Sequence, residues 1–184
     1  MNRIDRLYME MIRFYQGDPR HIQHFVKVHS FSRLIGQAEG LDEEQMYILE
    51  AAALVHDIGI KIGMEKYGRS DGKVQELEGP AAAREMMTRL GFRENVISRV
   101  EYLVGHHHTY KDIDGLDYQV LVEADFLVNY FEDDLDKKHI RKSAEKIFKT
   151  ETGKKIVKEY VFPGDFSEVG DMGAGCAAGS GGFY

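Results

Sequence analysis

Apolar residues recur at helical spacing along most of the 184-residue chain, and this periodicity constrains the fold more than any other feature. Ile4, Leu7, Met11 and Tyr15 mark one face of the first such segment. No run of residues alternates with the period of a β-strand over a useful length. The sequence therefore predicts an all-α domain.

Glycine, proline and capping residues divide the chain into eight predicted helices. Asp18 and Pro19 favour the start of the second helix, and Asp42 with Gln45 forms a capping-box pattern at the third. The predicted ranges are 2–16, 19–39, 43–55, 81–90, 94–105, 117–130, 137–149 and 154–162. Residues 59–79 contain five glycines and are predicted to form a loop. A loop of this length in a compact domain more often has a function than not.

Length and composition favour one domain over residues 1–165, followed by a Gly/Ala-rich tail over 166–184. The net charge of -7 argues against binding of nucleic-acid polymers, which requires a basic surface. No apolar stretch has the length of a membrane span, and the N-terminus lacks the apolar core of a signal peptide. The single cysteine, Cys176, fits a reducing compartment. A cytoplasmic protein is expected.

The third predicted helix ends in an adjacent imidazole and carboxylate, His56 and Asp57, followed by Ile58 and Gly59. Neither polar side chain suits the buried end of an apolar helix unless it has a partner. A divalent metal ion would satisfy both, because imidazole and carboxylate are ordinary ligands of Mn, Fe, Co, Ni and Zn. The alternative is a simple helix C-terminus at which the imidazole bonds the last-turn carbonyls. Asp125, in a later apolar helix, is a further candidate ligand, and Asn129 lies one turn beyond it.

The order His29, His56-Asp57 and Asp125 resembles the signature of the HD-domain superfamily of metal-dependent phosphohydrolases. Three segments carry the resemblance, which covers about residues 20–130: His29-Ser30-Phe31-Ser32-Arg33-Leu34-Ile35, Leu54-Val55-His56-Asp57-Ile58-Gly59 and Val122-Glu123-Ala124-Asp125. The resemblance implies a helical bundle with a metal site in its core. It also implies four ligands, His29, His56, Asp57 and Asp125.

His24 is a rival to His29, and the two point in different directions because they are five positions apart on one helix. His29 is preferred because the residues that follow it match the helix of the family more closely. The alternative interpretation is that His29 is a structural histidine in the core of the second helix and binds no metal.

Further residues are candidates for catalysis and substrate binding. Similar proteins carry ligand or catalytic histidines near Glu78 and near the run His106-His107-His108, so Asp57, Glu78, His106 and His107 are predicted to be catalytic. His108 is expected to be the most exposed of the three histidines. An equally good interpretation of Glu78 is that it only stabilises the N-terminus of a helix. Four basic residues are predicted to bind substrate phosphate: Arg33, Lys61, Arg69 and Lys73.

These observations favour a hydrolase that uses one or two divalent ions, Mn, Fe, Co or Ni, on a nucleotide or related small phosphate compound. Two alternatives remain open. One is a non-catalytic HD-type module that binds a nucleotide as a sensor, and the other is an HD-type di-iron oxygenase. The expected partner is a small phosphorylated substrate rather than a nucleic acid or a membrane, with a homodimer as a possible assembly.

Overall fold

The computed structural model describes residues 1–161, without the side chain of Tyr160, and the tail predicted over 166–184 lies outside the described residues. Nine α-helices and no strands are found in this part of the chain. They are α1 (Arg3–Phe14), α2 (Pro19–Ala38), α3 (Glu43–Val55), α4 (Gly59–Tyr67), α5 (Gly72–Arg89), α6 (Glu94–Val104), α7 (Leu116–Glu132), α8 (Lys137–Ile147) and α9 (Glu151–Val161). The prediction of an all-α fold is confirmed.

Local capping explains several helix starts. The side chain of Asp18 accepts a hydrogen bond from the backbone of His21, with Pro19 in the first turn of α2. Asp42 and Gln45 form the reciprocal capping box predicted for α3. The starts of these helices were therefore readable from local sequence.

The predicted loop over residues 59–79 is wrong. Residues 59–67 form α4, and α5 begins at Gly72 and continues through Pro80 to Arg89. Only the short connection between α4 and α5 is irregular. The glycines in this segment therefore do not mark a long loop.

Helices α2, α3 and α7 pack against one another and form the centre of the molecule. Helix α1 packs on α3, α6 joins α3 to α5, and α4 lies against α5. The buried core includes Val28 and Ile35 of α2, Leu49 of α3 and Leu121 of α7. Helices α2 and α7 and the turn after α3 each carry a buried polar residue where they meet, so the candidate site lies in the core of the bundle. Within residues 1–161, no helix has both the length and the apolar character that crossing a membrane requires.

Candidate metal centre

The turn after α3 fixes the orientation of the His56 imidazole. His56 is fully buried, and its Nδ1 lies 2.9 Å from the carbonyl oxygen of Ala53. Because a carbonyl oxygen only accepts, Nδ1 must carry the proton, and Nε2 of the neutral ring presents a lone pair. The hydroxyl of Tyr15 donates to the backbone carbonyl of Asp57 at 2.7 Å and holds the same turn. The bond to a last-turn carbonyl that characterises a simple helix end is thus present, and it aims Nε2 at the site.

Four side chains from α2, the turn after α3, and α7 converge on one point. His24 Nε2 lies 3.2 Å from His56 Nε2, 3.2 Å from Asp125 Oδ1 and 3.3 Å from Asp57 Oδ2. His56 Nε2 lies 3.4 Å from Asp57 Oδ2 and 3.6 Å from Asp125 Oδ1. The amide of Asn129, one turn beyond Asp125 on α7, donates to Asp125 Oδ1 at 3.0 Å and orients that carboxylate. We refer to His24, His56, Asp57 and Asp125 as the HD cluster.

The two imidazoles of the HD cluster face each other through their Nε2 atoms. His24 Nδ1 lies 2.9 Å from Glu132 Oε2, so its proton is directed to that carboxylate and Nε2 presents a lone pair, as it does in His56. Two lone pairs and two carboxylates that meet at one buried point repel one another unless a positive charge lies between them. Two imidazole nitrogens with carboxylate oxygens are a donor set suited to a divalent transition metal. The residues present therefore fit a metal ion.

The electrostatics of the HD cluster agree with this conclusion. Burial alone lowers the pKa of His56, but the charge of Asp57 and the hydrogen bonds that the protonated ring donates to Asp125 and Asp57 outweigh it and raise that pKa well above its usual value. Burial likewise opposes the charged form of His24, yet Asp125 and Asp57 raise its pKa. The pKa of Asp57 is held well below its usual range, against burial, by His56 and the other facing histidines. The cluster thus attracts positive charge, and protons and a metal ion compete for it.

Asp57 also faces a second group of ligand atoms. His107 is buried, its Nδ1 lies 2.8 Å from the carbonyl oxygen of Val104, and its Nε2 lies 3.4 Å from Asp57 Oδ1. One ligand atom from each of Asp57, His107 and His108 lies within 4.8 Å of the other two. Asp57 therefore offers Oδ2 to the HD cluster and Oδ1 to this second group.

A glycine brings α5 close to the turn after α3 that carries His56 and Asp57. A Cβ atom at Gly59 would lie 2.7 Å from the backbone oxygen of Gln75 and 2.9 Å from its Cα, distances that a side chain does not tolerate. The close approach places the Gln75 side chain at the second group, where its Oε1 lies 3.0 Å from His108 Nε2. Gln75 was missed by sequence reasoning, because a lone glutamine within a predicted loop gives no signal.

The structure corrects the prediction for His29. Its Nε2 lies 3.0 Å from Glu50 Oε2, and its ring packs edge-on against Tyr8. His24 takes the place expected for His29 in the HD cluster, because it lies on the side of α2 that packs against α7. The alternative interpretation of His29 as a core histidine therefore describes its position.

Two predicted catalytic residues also lie elsewhere. The ring of His106 stacks on Tyr102 at 4.2 Å, and its Nδ1 lies 2.7 Å from the Tyr102 carbonyl oxygen. His108, expected to be the most exposed of the three histidines, is half-buried and belongs to the second group. Glu78 accepts hydrogen bonds from Lys66 and Tyr67 of the neighbouring helix at 2.5 and 2.6 Å. Because Glu78 lies inside α5 and these α4 side chains occupy its oxygens, it is neither a helix-start residue nor part of the cluster.

A cavity of about 370 Å³ opens onto the HD cluster. Its lining includes Arg20 and His21 near the start of α2, and Glu132 and Asp133 at the end of α7. Arg20 was missed by sequence reasoning, although its position directly after the Asp18-Pro19 helix start placed it near one end of α2. The cavity has the size of a site for a small molecule.

The structure does not bring the four predicted substrate-binding residues to this cavity. Arg33 lies beside Glu50, and Arg69 pairs with Asp71 at 3.2 Å. The Lys61 amine donates to the carbonyl oxygen of Phe14, beside a smaller neighbouring cavity of about 200 Å³. Lys73 is exposed. Lys61 and Lys73 lie on α4 and α5 rather than in a flexible loop, Arg69 lies in the short connection between these two helices, and Arg33 lies on α2.

The comparisons with known proteins agree with this geometry. The HD domain family matches residues 22–146. A solved structure with the same fold is that of a predicted HD superfamily hydrolase from an uncultured Thermotogales bacterium. It is 25% identical to this chain, with a TM-score of 0.58, and the similarity covers 85% of this chain and 82% of the other. No curated protein matches the chain.

The family match spans well over half of the sequence and includes all four residues of the HD cluster. The chain therefore belongs to the HD domain family. Its helical bundle carries, in its core, a His/Asp cluster that can hold a divalent metal ion.

Proposed function

We propose that this protein is a hydrolase, and more specifically a metal-dependent phosphohydrolase that acts on a nucleotide or a related small phosphate compound. The observation that carries the proposal is the convergence of His24 Nε2, His56 Nε2, Asp57 Oδ2 and Asp125 Oδ1 at a buried point that requires a positive charge. The name of the structural neighbour, a predicted HD superfamily hydrolase, supports the coarser class.

Each residue of the site has a role in this proposal. The HD cluster would hold a divalent ion, which lowers the pKa of bound water and stabilises negative charge on phosphoryl oxygens. His107 Nε2 presents a lone pair 3.4 Å from Asp57 Oδ1 and is placed to accept a proton beside the cluster. The amide of Asn129 holds Asp125 in position, and the carboxylate of Glu132 holds His24.

The cavity favours a substrate with few negative charges. Among the described residues that line it, Arg20 is the one lysine or arginine, whereas Glu132 and Asp133 are acidic. Arg20 is well exposed at the mouth and lies 3.9 Å from Asp133, so its guanidinium is free to turn toward a phosphate group. A single phosphate ester or diester therefore suits the cavity better than a polyphosphate chain.

A matched pair of variants on α2 tests the proposal. His24→Ala removes one nitrogen from the HD cluster, whereas His29→Ala removes a buried histidine of the same helix that contacts Glu50. We expect His24→Ala to lose bound metal and to reduce phosphate release by at least about 100-fold, whereas His29→Ala keeps both. Metal content is measured on protein purified without chelator. Phosphate release is measured with Mn, Co, Ni and Fe on nucleoside monophosphates, phosphodiesters and dinucleoside polyphosphates.

Other outcomes identify the alternative functions. Wild-type protein that binds a nucleotide in the cavity but releases no phosphate with any of the four metals would be a sensor module. Two bound irons with consumption of oxygen would indicate an oxygenase. Wild-type protein that binds no metal contradicts both enzymatic functions.

A further inference from the structure

We infer that Gln75 limits binding of a second metal ion, so that the protein holds one ion tightly at the HD cluster and a second ion only weakly. This inference rests on the proposed function in so far as the first ion binds at the HD cluster. It concerns the number of ions bound, which the HD cluster alone does not determine. The weak second site results from the orientation of the Gln75 amide, the position of the proton on His108 and the charge of the second group.

The orientation of the Gln75 amide is fixed from outside the site. Its Nε2 donates to the backbone oxygen of Ser70 at 2.8 Å, in the connection between α4 and α5. Gln75 is buried. Because residue 59 is a glycine, the backbone of Gln75 can approach the turn after α3 closely. The amide nitrogen therefore points away from the site, and Oε1 must face His107 and His108.

Oε1 of Gln75 determines which nitrogen of His108 carries the proton. His108 Nε2 lies 3.0 Å from this oxygen, and an amide oxygen can only accept. The proton is therefore on Nε2, while Nδ1 faces the hydroxyl of Tyr110 at 3.3 Å. In this form His108 presents a hydrogen, not a lone pair, to the second group. His107 is the opposite case, because the Val104 carbonyl holds its proton on Nδ1.

The second group consequently offers a metal ion a weak set of ligands. Asp57 Oδ1 and His107 Nε2 are available, together with the neutral oxygen of Gln75 at 3.3 Å from His107 Nε2. His108 becomes a ligand through Nε2 only after its proton moves to Nδ1 and its bond to Gln75 breaks. Asp57 is the one carboxylate of the group, and an ion at the HD cluster would share it, because Asp57 belongs to both groups. A second ion therefore meets less negative charge and one nitrogen fewer than the composition of the site suggests.

Titration of the full chain with Co²⁺ tests the inference. Gln75→Glu keeps the side-chain shape and adds a negative charge at the second group, and Gln37→Glu adds the same charge at an exposed position of α2. We expect wild-type protein and the Gln37→Glu control to bind one Co²⁺ tightly and the second at least about tenfold more weakly. Gln75→Glu should tighten the second ion by about tenfold or more, with the first unchanged. Calorimetry gives the two affinities, and the visible spectrum of Co²⁺ reports a change in ligands.

A second measurement needs no variant. With one equivalent of Zn²⁺, nitrogen NMR of the histidine rings should show the proton of His108 on Nε2 and the proton of His107 on Nδ1. A His108 proton on Nδ1 would overturn the inference, as would two ions bound equally tightly by wild type or an unchanged second affinity in Gln75→Glu. These results leave the proposed function intact, whereas wild-type protein that binds no Co²⁺ at all overturns both.

Discussion

His24 and His29 show how two residues of the same type on one helix come to differ. Both are buried, and five positions separate them, so they occupy opposite edges of the buried face of α2. His24 contacts α7 and the turn after α3, whereas His29 contacts Glu50 of α3. Hydrophobic periodicity identifies the buried face of a helix, but it does not say which neighbour packs against which edge. The sequence accordingly predicted a histidine from α2 and selected the wrong one.

The raised pKa values of His24 and His56 predict how metal-free protein responds to pH. A histidine whose pKa is higher in the folded protein stabilises the fold below its unfolded value of about 6.5. That stabilisation is lost as the pH rises through the raised pKa. We expect the urea midpoint of chelator-treated protein to fall as the pH rises above about 6.5, because the facing lone pairs and carboxylates are then no longer held together by protons.

Saturating Mn²⁺ should remove most of this decline, since the ion replaces the protons in the HD cluster. The His24→Ala variant is the control and should show a smaller pH effect without metal. A wild-type midpoint that rises with pH in chelator would contradict the prediction.

At the scale of the elements, the glycines of α4 illustrate an ambiguity that sequence cannot resolve. The glycine pattern predicts a loop at Gly59 and Gly63, yet both residues are buried where α5 crosses α4 closely. A Cβ at Gly63 would lie 2.5 Å from a methyl carbon of Val74. A glycine that permits close helix packing and a glycine that breaks a helix are identical in a sequence. Only the position of α5 distinguishes them.

Helix α9 depends on one buried side chain of α7. Glu123 is fully buried and accepts hydrogen bonds from the backbone nitrogens of Lys149 and Thr150, at 2.6 and 2.9 Å, just before α9 begins. It also accepts from the Gln119 amide at 2.8 Å. Glu123 therefore satisfies donors at the start of α9 and ties that helix to the central bundle.

Glu123→Ala should lower the free energy of unfolding by about 3 kcal/mol, because it leaves several buried donors without an acceptor. Glu145→Ala, at an exposed position of α8, is the comparison and should change it by less than about 0.5 kcal/mol. Urea unfolding gives both values. Binding of one Co²⁺ should persist in folded Glu123→Ala protein, because Glu123 points to α9 and Asp125 to the HD cluster. A loss of stability equal to that of Glu145→Ala would count against this role.

For the whole molecule, a metal ion at the HD cluster would join the three helices that form its centre. His24 comes from α2, His56 and Asp57 from the turn after α3, and Asp125 from α7. An ion that binds the folded state alone, at a hundred times its dissociation constant, stabilises a protein by about 2.7 kcal/mol. For a domain of this size, that gain corresponds to a rise in Tm of about 5–10 °C.

We therefore expect Mn²⁺ to raise the Tm of wild-type and His29→Ala protein by similar amounts and a chelator to reverse the rise. His24→Ala should gain much less. Differential scanning calorimetry measures all three, and an equal gain in His24→Ala would show that the ion binds outside the HD cluster.

The sequence by itself determined the helical class, most helix starts, and three of the four HD-cluster residues, His56, Asp57 and Asp125. These features are local, because capping and periodicity act within a few residues, and a polar residue inside an apolar helix needs a partner wherever that helix packs. Tertiary structure alone decided that His24 rather than His29 completes the cluster, that Gln75 and His108 face Asp57, and that Arg20 rather than the predicted basic residues reaches the cavity. Those outcomes depend on which helix edges meet in space, and residues far apart in the chain contribute to each of them.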